Sequence, residues 1–300
     1  MLPELTAKVS DDIELCYETY GDPADPTILL IMGMGGPMGW WSVSFCERIA
    51  ASGFFVVRYD NRDVGRSTKV KTAARLSWAL VVRTFAGVNK QVPYTLSDLA
   101  ADGVGLLDHL GVGRAHVVGV SMGGMIAQTM AIEHGHRILS LTSIMATTGR
   151  RTVGWQSPGL LPMLFRRSKR TREAYVAASH ITAKVLGSPA YPIDPEIVRV
   201  RAEETFDRGW EPVGVLRQML AVISQPDRTR SLRTLRMPAC VIHGTADRLV
   251  HPSGGRATAA AIPGAELVMV PGMGHDLPPA LDDIIIDAIT RTAARASVQA

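Results

Sequence analysis

An apolar run, AHVVGV, passes directly into Gly119-Val120-Ser121-Met122-Gly123-Gly124 and then into a helix-like stretch, MIAQTMAIEHG. A strand that turns into a helix this abruptly brings two backbones together. Residues without a Cβ permit the approach, and the residue at the apex is left in a strained conformation. Ser121 stands at that apex. Its hydroxyl should project beyond the carboxyl end of the strand, where the first amides of the helix point. The turn also constrains the rest of the chain, because a strand apolar on both faces needs a sheet beside it and helices above and below it.

The remaining sequence supplies them. Runs at residues 27–32, 54–59, 116–120, 139–145, 240–243 and 267–270 are mostly continuous in apolar residues rather than alternating, as in strands buried on both faces. Helix-like stretches occupy residues 41–51, 97–110, 122–134 and 281–294, the second opening on Ser97 as a cap and stopping at Gly111. This alternation predicts an α/β fold with a mostly parallel central sheet flanked by helices. An alternating segment at 13–20, ended by the turn-rich GDPADP, predicts a peripheral antiparallel strand. The rhythm breaks between Thr147 and Pro226, where helix-like pieces at 169–186, 195–207 and 212–223 occur without a convincing strand. The chain is therefore read as a core, residues 1–146 and 227–300, carrying a helical cap, residues 147–226. The cap holds twelve basic and seven acidic residues, so it carries all of the net charge of +4 and more.

Composition narrows the function. With 300 residues, 46% hydrophobic and 20% charged, the chain can bury a large core without metal or disulfide. The three widely spaced cysteines, Cys16, Cys46 and Cys240, fit reduced thiols, and the N-terminus shows no secretory pattern, so a cytoplasmic setting is expected. The mild net charge and the lack of a zinc-finger or aromatic RNA-binding pattern argue against nucleic acid. No apolar run reaches the length of a membrane span.

A serine hydroxyl is a weak nucleophile until a base takes its proton. His275, in Pro271-Gly272-Met273-Gly274-His275, follows the last expected strand and precedes the final helix, where such a base must sit. His243 lies within an apolar run and reads as a core histidine. His109, His134 and His136 fall near helix carboxyl ends, which favour a cation, and the string from Glu133 to His136 lacks metal-ligand spacing. His180 and His251 could line a pocket. The orienting carboxylate falls to Asp247, which ends the strand-and-turn string CVIHGTAD; the rival position after the preceding strand, MATTG, holds no acid. The order serine, acid, histidine is one that a serine triad on an α/β sheet adopts. Backbone amides of Met122 and of Met34, in the loop Met32-Gly33-Met34-Gly35-Gly36-Pro37, are the candidate oxyanion donors.

The strings IMGMGG, RYDNRDVGRS, GVSMGG, GTADRLV and GMGH, spread from about Ile13 to the last helix, together resemble the α/β-hydrolase superfamily. Within it, GDPADP, IMG, RYDNRDVGRS and PGMGH are similar to bacterial esterases of the aclacinomycin methylesterase type and to mycobacterial lipase/esterase proteins. The resemblance implies an α/β-hydrolase fold, hydrolysis of carboxylic esters, and neither metal nor organic cofactor. It also implies a structural turn in RYDNRDVGRS, held by an internal Asp60–Arg62 ion pair. The sequence departs from many members in having Met32 where they have histidine before the oxyanion glycine.

The methionines near the expected pocket (Met32, Met34, Met38, Met122, Met125, Met145, Met273) can adapt to irregular apolar ligands or simply fill the core. Of Trp40 and Trp41, one ring is expected to line the pocket and one to lie in the core. Gly33, Gly35, Trp40 and Met145 are the candidate substrate contacts. The expected activity is a serine ester hydrolase acting on apolar esters through an acyl-enzyme. The same triad can serve thioesters, perhydrolysis or C–C bond hydrolysis, and a non-catalytic ligand-binding receptor on the same scaffold is the reading from another class. The cap segment WQSPGLLPMLFRRSKRTR sets apolar residues beside Arg166, Arg167, Lys169, Arg170 and Arg172, which suits an anionic membrane surface and esters of lipids as one substrate class.

Overall fold

A computed structural model of the chain describes residues 3–71, 78–88, 92–160 and 170–297. Among the described residues, eight strands form one sheet in the order β1-β2-β4-β3-β5-β6-β7-β8: β1 Leu5–Lys8, β2 Glu14–Tyr20, β3 Thr27–Ile31, β4 Phe55–Tyr59, β5 Ala115–Val120, β6 Ile138–Ile144, β7 Ala239–Gly244 and β8 Glu266–Val270. The pairs β1–β2 and β2–β4 are antiparallel and the others parallel. The antiparallel strand read at 13–20 is β2; β1, too short to stand out in the sequence, covers its outer edge.

The continuous apolar runs have a direct explanation. Leu29 and Ile31 of β3 enter one core with α3 (Leu96–His109) and α4 (Met122–Glu133), while Ile28 and Leu30 enter a second core with α1 (Val43–Ala50) and the C-terminal helix. Val57 and Val56 of β4, and Val117 and Val118 of β5, divide in the same way. The apolar residues of these strands thus find apolar neighbours on both sides of the sheet. Helix α3 starts two residues earlier than Ser97 suggests: Thr95 caps it, with Asp98 closing a capping box. Ser97 instead bonds Glu133 at 2.7 Å.

Between β6 and β7 the described residues hold α5 (Arg172–Leu186), α6 (Pro195–Asp207) and α7 (Pro212–Ser224) and no strand. Arg166, Arg167 and Lys169 lie outside the described residues. Helix α2 (Trp78–Phe85), absent from the sequence reading, packs on α7. After α7 come α8 (Thr229–Leu232), α9 (Ser253–Ala261) and α10 (Asp282–Ser297).

The loop RYDNRDVGRS fastens this helical insertion to the sheet, and the expected Asp60–Arg62 pair does not form. Asp60 is fully buried; its carboxylate receives Arg208 of the insertion at 2.8 Å and the amides of Met38 and Arg66 at 2.8 and 2.9 Å. No position is left for Arg62, which instead grips Asp102 of α3 with two bonds of 2.6 Å. Asp63 receives Arg217 of α7 at 2.6 and 2.8 Å and the Tyr94 hydroxyl at 2.6 Å. Two acids of one loop therefore hold two arginines of the insertion.

Candidate active site

Ser121 sits at the turn between β5 and α4 with φ 55° and ψ −117°, a conformation that L residues rarely adopt. The flanking glycines are what make it possible. A Cβ on Gly119 would run into the Gly123 carbonyl, and one on Gly123 into the Ile31 carbonyl of β3. The Ser121 amide is tied to the Ile144 carbonyl at 2.9 Å, so the strain is held by the sheet.

His275 reaches this serine from the loop after β8. Its Nε2 lies 2.9 Å from Ser121 Oγ, and its Nδ1 lies 2.7 Å from Asp247 Oδ2. Because a carboxylate can only accept, Nδ1 carries the hydrogen and Nε2 is free to receive the serine proton. The loop is seated by the insertion: the His275 amide donates to the Leu186 carbonyl at 2.7 Å, and the Gly274 amide to Ser188 Oγ at 2.8 Å. Neither contact carries a signal in the sequence, since each depends on the end of α5 meeting a loop some ninety positions away.

Asp247 is buried at the end of β7. Its Oδ1 accepts the amides of Leu249 and Val250, each at 2.9 Å. Oδ2 faces His275 and also His243, whose Nε2 is 3.3 Å away. Burial alone would push this carboxyl up. The charge of His275 and the bonds from His243 and His275 outweigh burial and hold it well below the usual carboxylate range. Core placement of His243 is as the sequence suggests, fully buried; its approach to Asp247 is not legible there.

The structure brings Ser121, His275 and Asp247 together. A Cβ on Gly33 would lie 3.3 Å from Ser121 Cβ and 3.9 Å from its Oγ, so the loop after β3 runs against Ser121. Met34 follows in that loop, and Met122 opens α4 immediately beyond Ser121. Gly35 has φ +70° and its amide donates to Gln218 of α7 at 2.8 Å, which occupies that donor and ties the loop to the insertion. Trp40 is half-buried, packs over Gly36, donates to Thr205 Oγ1 at 3.0 Å and lies beneath the Arg201 guanidinium. Trp41 is the core ring, stacked on Phe45. Met145 is buried at the end of β6 with φ +43°. Of the seven methionines singled out, all but Met34 are buried, so core filling accounts for most of them.

Residues 26–278 match the family described as alpha/beta hydrolase fold. The chain is 31% identical to rhodomycin D methylesterase of Streptomyces sp. (strain C5), across 96% of this chain and 97% of that protein. It is 30% identical to a putative carbamate hydrolase of Caulobacter sp. (strain K31), across 87% and 88%. Among solved structures, the enol-lactonase from Burkholderia xenovorans LB400 superposes with a TM-score of 0.73 at 23% identity, covering 97% of this chain and all of that one. With its sheet order, its strand–serine–helix turn and these relatives, the chain belongs to the alpha/beta hydrolase fold family of hydrolases.

Proposed function

We propose that the protein hydrolyses carboxylic esters through a covalent acyl-serine. The observation that carries this reading is the continuous hydrogen-bonded line from Ser121 Oγ through both nitrogens of His275 to Asp247 Oδ2. Ser121 Oγ attacks the ester carbonyl carbon as His275 Nε2 takes its proton. Asp247, anionic and held by four donors, keeps the imidazole in the required tautomer and stabilises its cation. The amides of Met122 and Met34 receive the negative charge that develops on the carbonyl oxygen. Collapse of the tetrahedral intermediate breaks the bond to the alcohol oxygen, which takes the proton from His275. Water oxygen then attacks the acyl carbon as the same nitrogen takes its proton, and collapse breaks the bond to Ser121 Oγ, which regains that proton from His275 as the acid leaves.

The methylesterase relative supports an ester as substrate. The half-buried Trp40 and Met34 beside the loop favour an apolar acyl or alcohol group. A series of p-nitrophenyl esters of rising chain length, with Ser121→Ala as control, tests the proposal. Turnover that depends on Ser121 and improves with chain length is expected. Equal hydrolysis by wild type and Ser121→Ala would refute it.

A further inference from the structure

Two stretches of the sequence are basic and entirely free of acids. Residues 64–97 carry six Lys or Arg and residues 147–172 carry seven, with no Asp or Glu in either, while the rest of the chain holds nineteen basic and twenty-eight acidic residues. They are far apart in sequence, and the structure joins them: the Arg151 guanidinium lies 5.3 Å above the centre of the Phe85 ring. Phe85 ends α2. One turn earlier on the same side is Val82, and the turn after the helix brings in Val88, whose amide donates to the Arg83 carbonyl at 2.9 Å, with Gly87 at φ +75°. Val82, Phe85 and Val88 are 59%, 61% and 68% exposed, more than any other large apolar side chain among the described residues, the next being Trp155 at 49%. Arg83 of the same helix and Arg151 above the ring are exposed as well, as is Arg150, next to Arg151 in the chain and close enough to Asp227 to feel its charge.

Such a cluster costs free energy in water, because these apolar side chains stand exposed at one helix end among the described residues. Its charge selects the partner. A second copy of the same patch would bring arginines against arginines, whereas an anionic lipid surface offers an apolar layer beneath negative headgroups. We infer that the carboxyl end of α2, with Arg150 and Arg151, docks on anionic bilayers. Phe85, Val82 and Val88 enter the outer acyl region and the arginines remain at headgroup level. No described helix is long and apolar enough to cross a membrane, so this contact is peripheral. The surface also has a place relative to the site. Helix α2 packs on α7, and α7 touches the oxyanion loop through Val215 and Gln218 at Gly35. A bilayer on this surface therefore lies one helix away from that loop. The inference stands independently of the esterase reading.

The test is flotation of the Ser121→Ala protein, which leaves lipid esters intact, with phosphatidylcholine vesicles and with vesicles also containing phosphatidylglycerol. Salt-sensitive binding to the anionic vesicles is expected, with Arg150→Glu/Arg151→Glu and Phe85→Ser each weakening it about tenfold or more. Both changes made in the otherwise unaltered enzyme should leave its Tm and its hydrolysis of p-nitrophenyl acetate unchanged. Equal partitioning into neutral and anionic vesicles, or binding that survives either change, would overturn the proposal. So would a wild-type dimer that Phe85→Ser makes monomeric without any lipid binding, or binding to DNA that Phe85→Ser leaves intact.

Discussion

His243 Nε2 stands 3.3 Å from Asp247 Oδ2, the same carboxylate oxygen that receives His275. The same His243 nitrogen is 2.8 Å from the Val250 carbonyl, while Nδ1 is buried without a partner. A carbonyl only accepts, so Nε2 carries the hydrogen and shares it between Val250 and Asp247. His243→Phe removes that donor while keeping bulk against Gly255. The expected result is roughly a tenfold loss of kcat/KM. His243→Gln, which can still donate, should recover part of that loss. Steady-state kinetics on the three proteins check this; equal losses in His243→Phe and His243→Gln would leave His243 a packing residue.

Removing the Ser121 hydroxyl or the Asp247 charge should separate the contributions that the proposed mechanism assigns to them. Ser121→Ala is expected to lose on the order of 10⁶-fold in kcat, and Asp247→Asn about 10⁴-fold, the magnitudes met in other serine triads. Both should remain folded, which circular dichroism and Tm verify. A fluorophosphonate should label the wild type and leave Ser121→Ala unlabelled.

Two glycines near the serine predict opposite failures. A Cβ on Gly123 meets the backbone of Ile31, which cannot move without breaking the sheet. Gly123→Ala should therefore cost about 3 kcal/mol or more in stability. A Cβ on Gly33 would sit 3.2 Å from the Val120 carbonyl and 3.3 Å from the Ser121 side chain, a crowding of a few tenths of an ångström rather than an overlap. Gly33→Ala should therefore lose less stability than Gly123→Ala and lose activity through the displaced serine. Thermal melts beside kcat measurements distinguish the two.

How far the sequence could anticipate all this depends on where each constraint resides. The turn at Ser121 is legible because steric demand on Gly119 and Gly123 is local, and Asp247 and His275 are legible because strand ends place them. Asp60, Arg62 and Asp63 were opaque for the opposite reason. Their partners, Arg208, Asp102 and Arg217, are set by how the insertion packs on the sheet, which no local pattern records. The same holds for His243, whose strand position announces burial and not its neighbour. Helix α2 eluded the periodicity because an end exposing Val82, Phe85 and Val88 breaks the usual apolar-in rule.

The Asp63–Arg217 pair gives a stability prediction. Both side chains are buried, with Tyr94 on the same carboxylate. Arg217→Met would leave the Asp63 charge buried without a cation, and a loss of about 3 kcal/mol is expected. Limited proteolysis should show cleavage within residues 170–226 before the rest of the chain. Asp63→Asn/Arg217→Met, which removes the stranded charge, should recover part of the Tm.

Acid sensitivity should be traceable to His116. It is buried against Ser140 and Phe54, and burial, with the charge of Arg114 adding to it, lowers its pKa to about 4. The folded state thus resists a proton that the unfolded chain accepts. Stability from this group is complete above about pH 6.5 and falls as the pH drops towards 4, by roughly 2–3 kcal/mol. In urea melts between pH 7 and 4, His116→Gln should flatten that slope.

The acyl-serine is the centre of the account, and rapid-quench mass spectrometry with a p-nitrophenyl ester observes it directly. A burst of one p-nitrophenolate per chain, with the acyl mass located on Ser121, is the predicted result. Steady turnover with no adduct at any time, or an adduct on another residue, would contradict it.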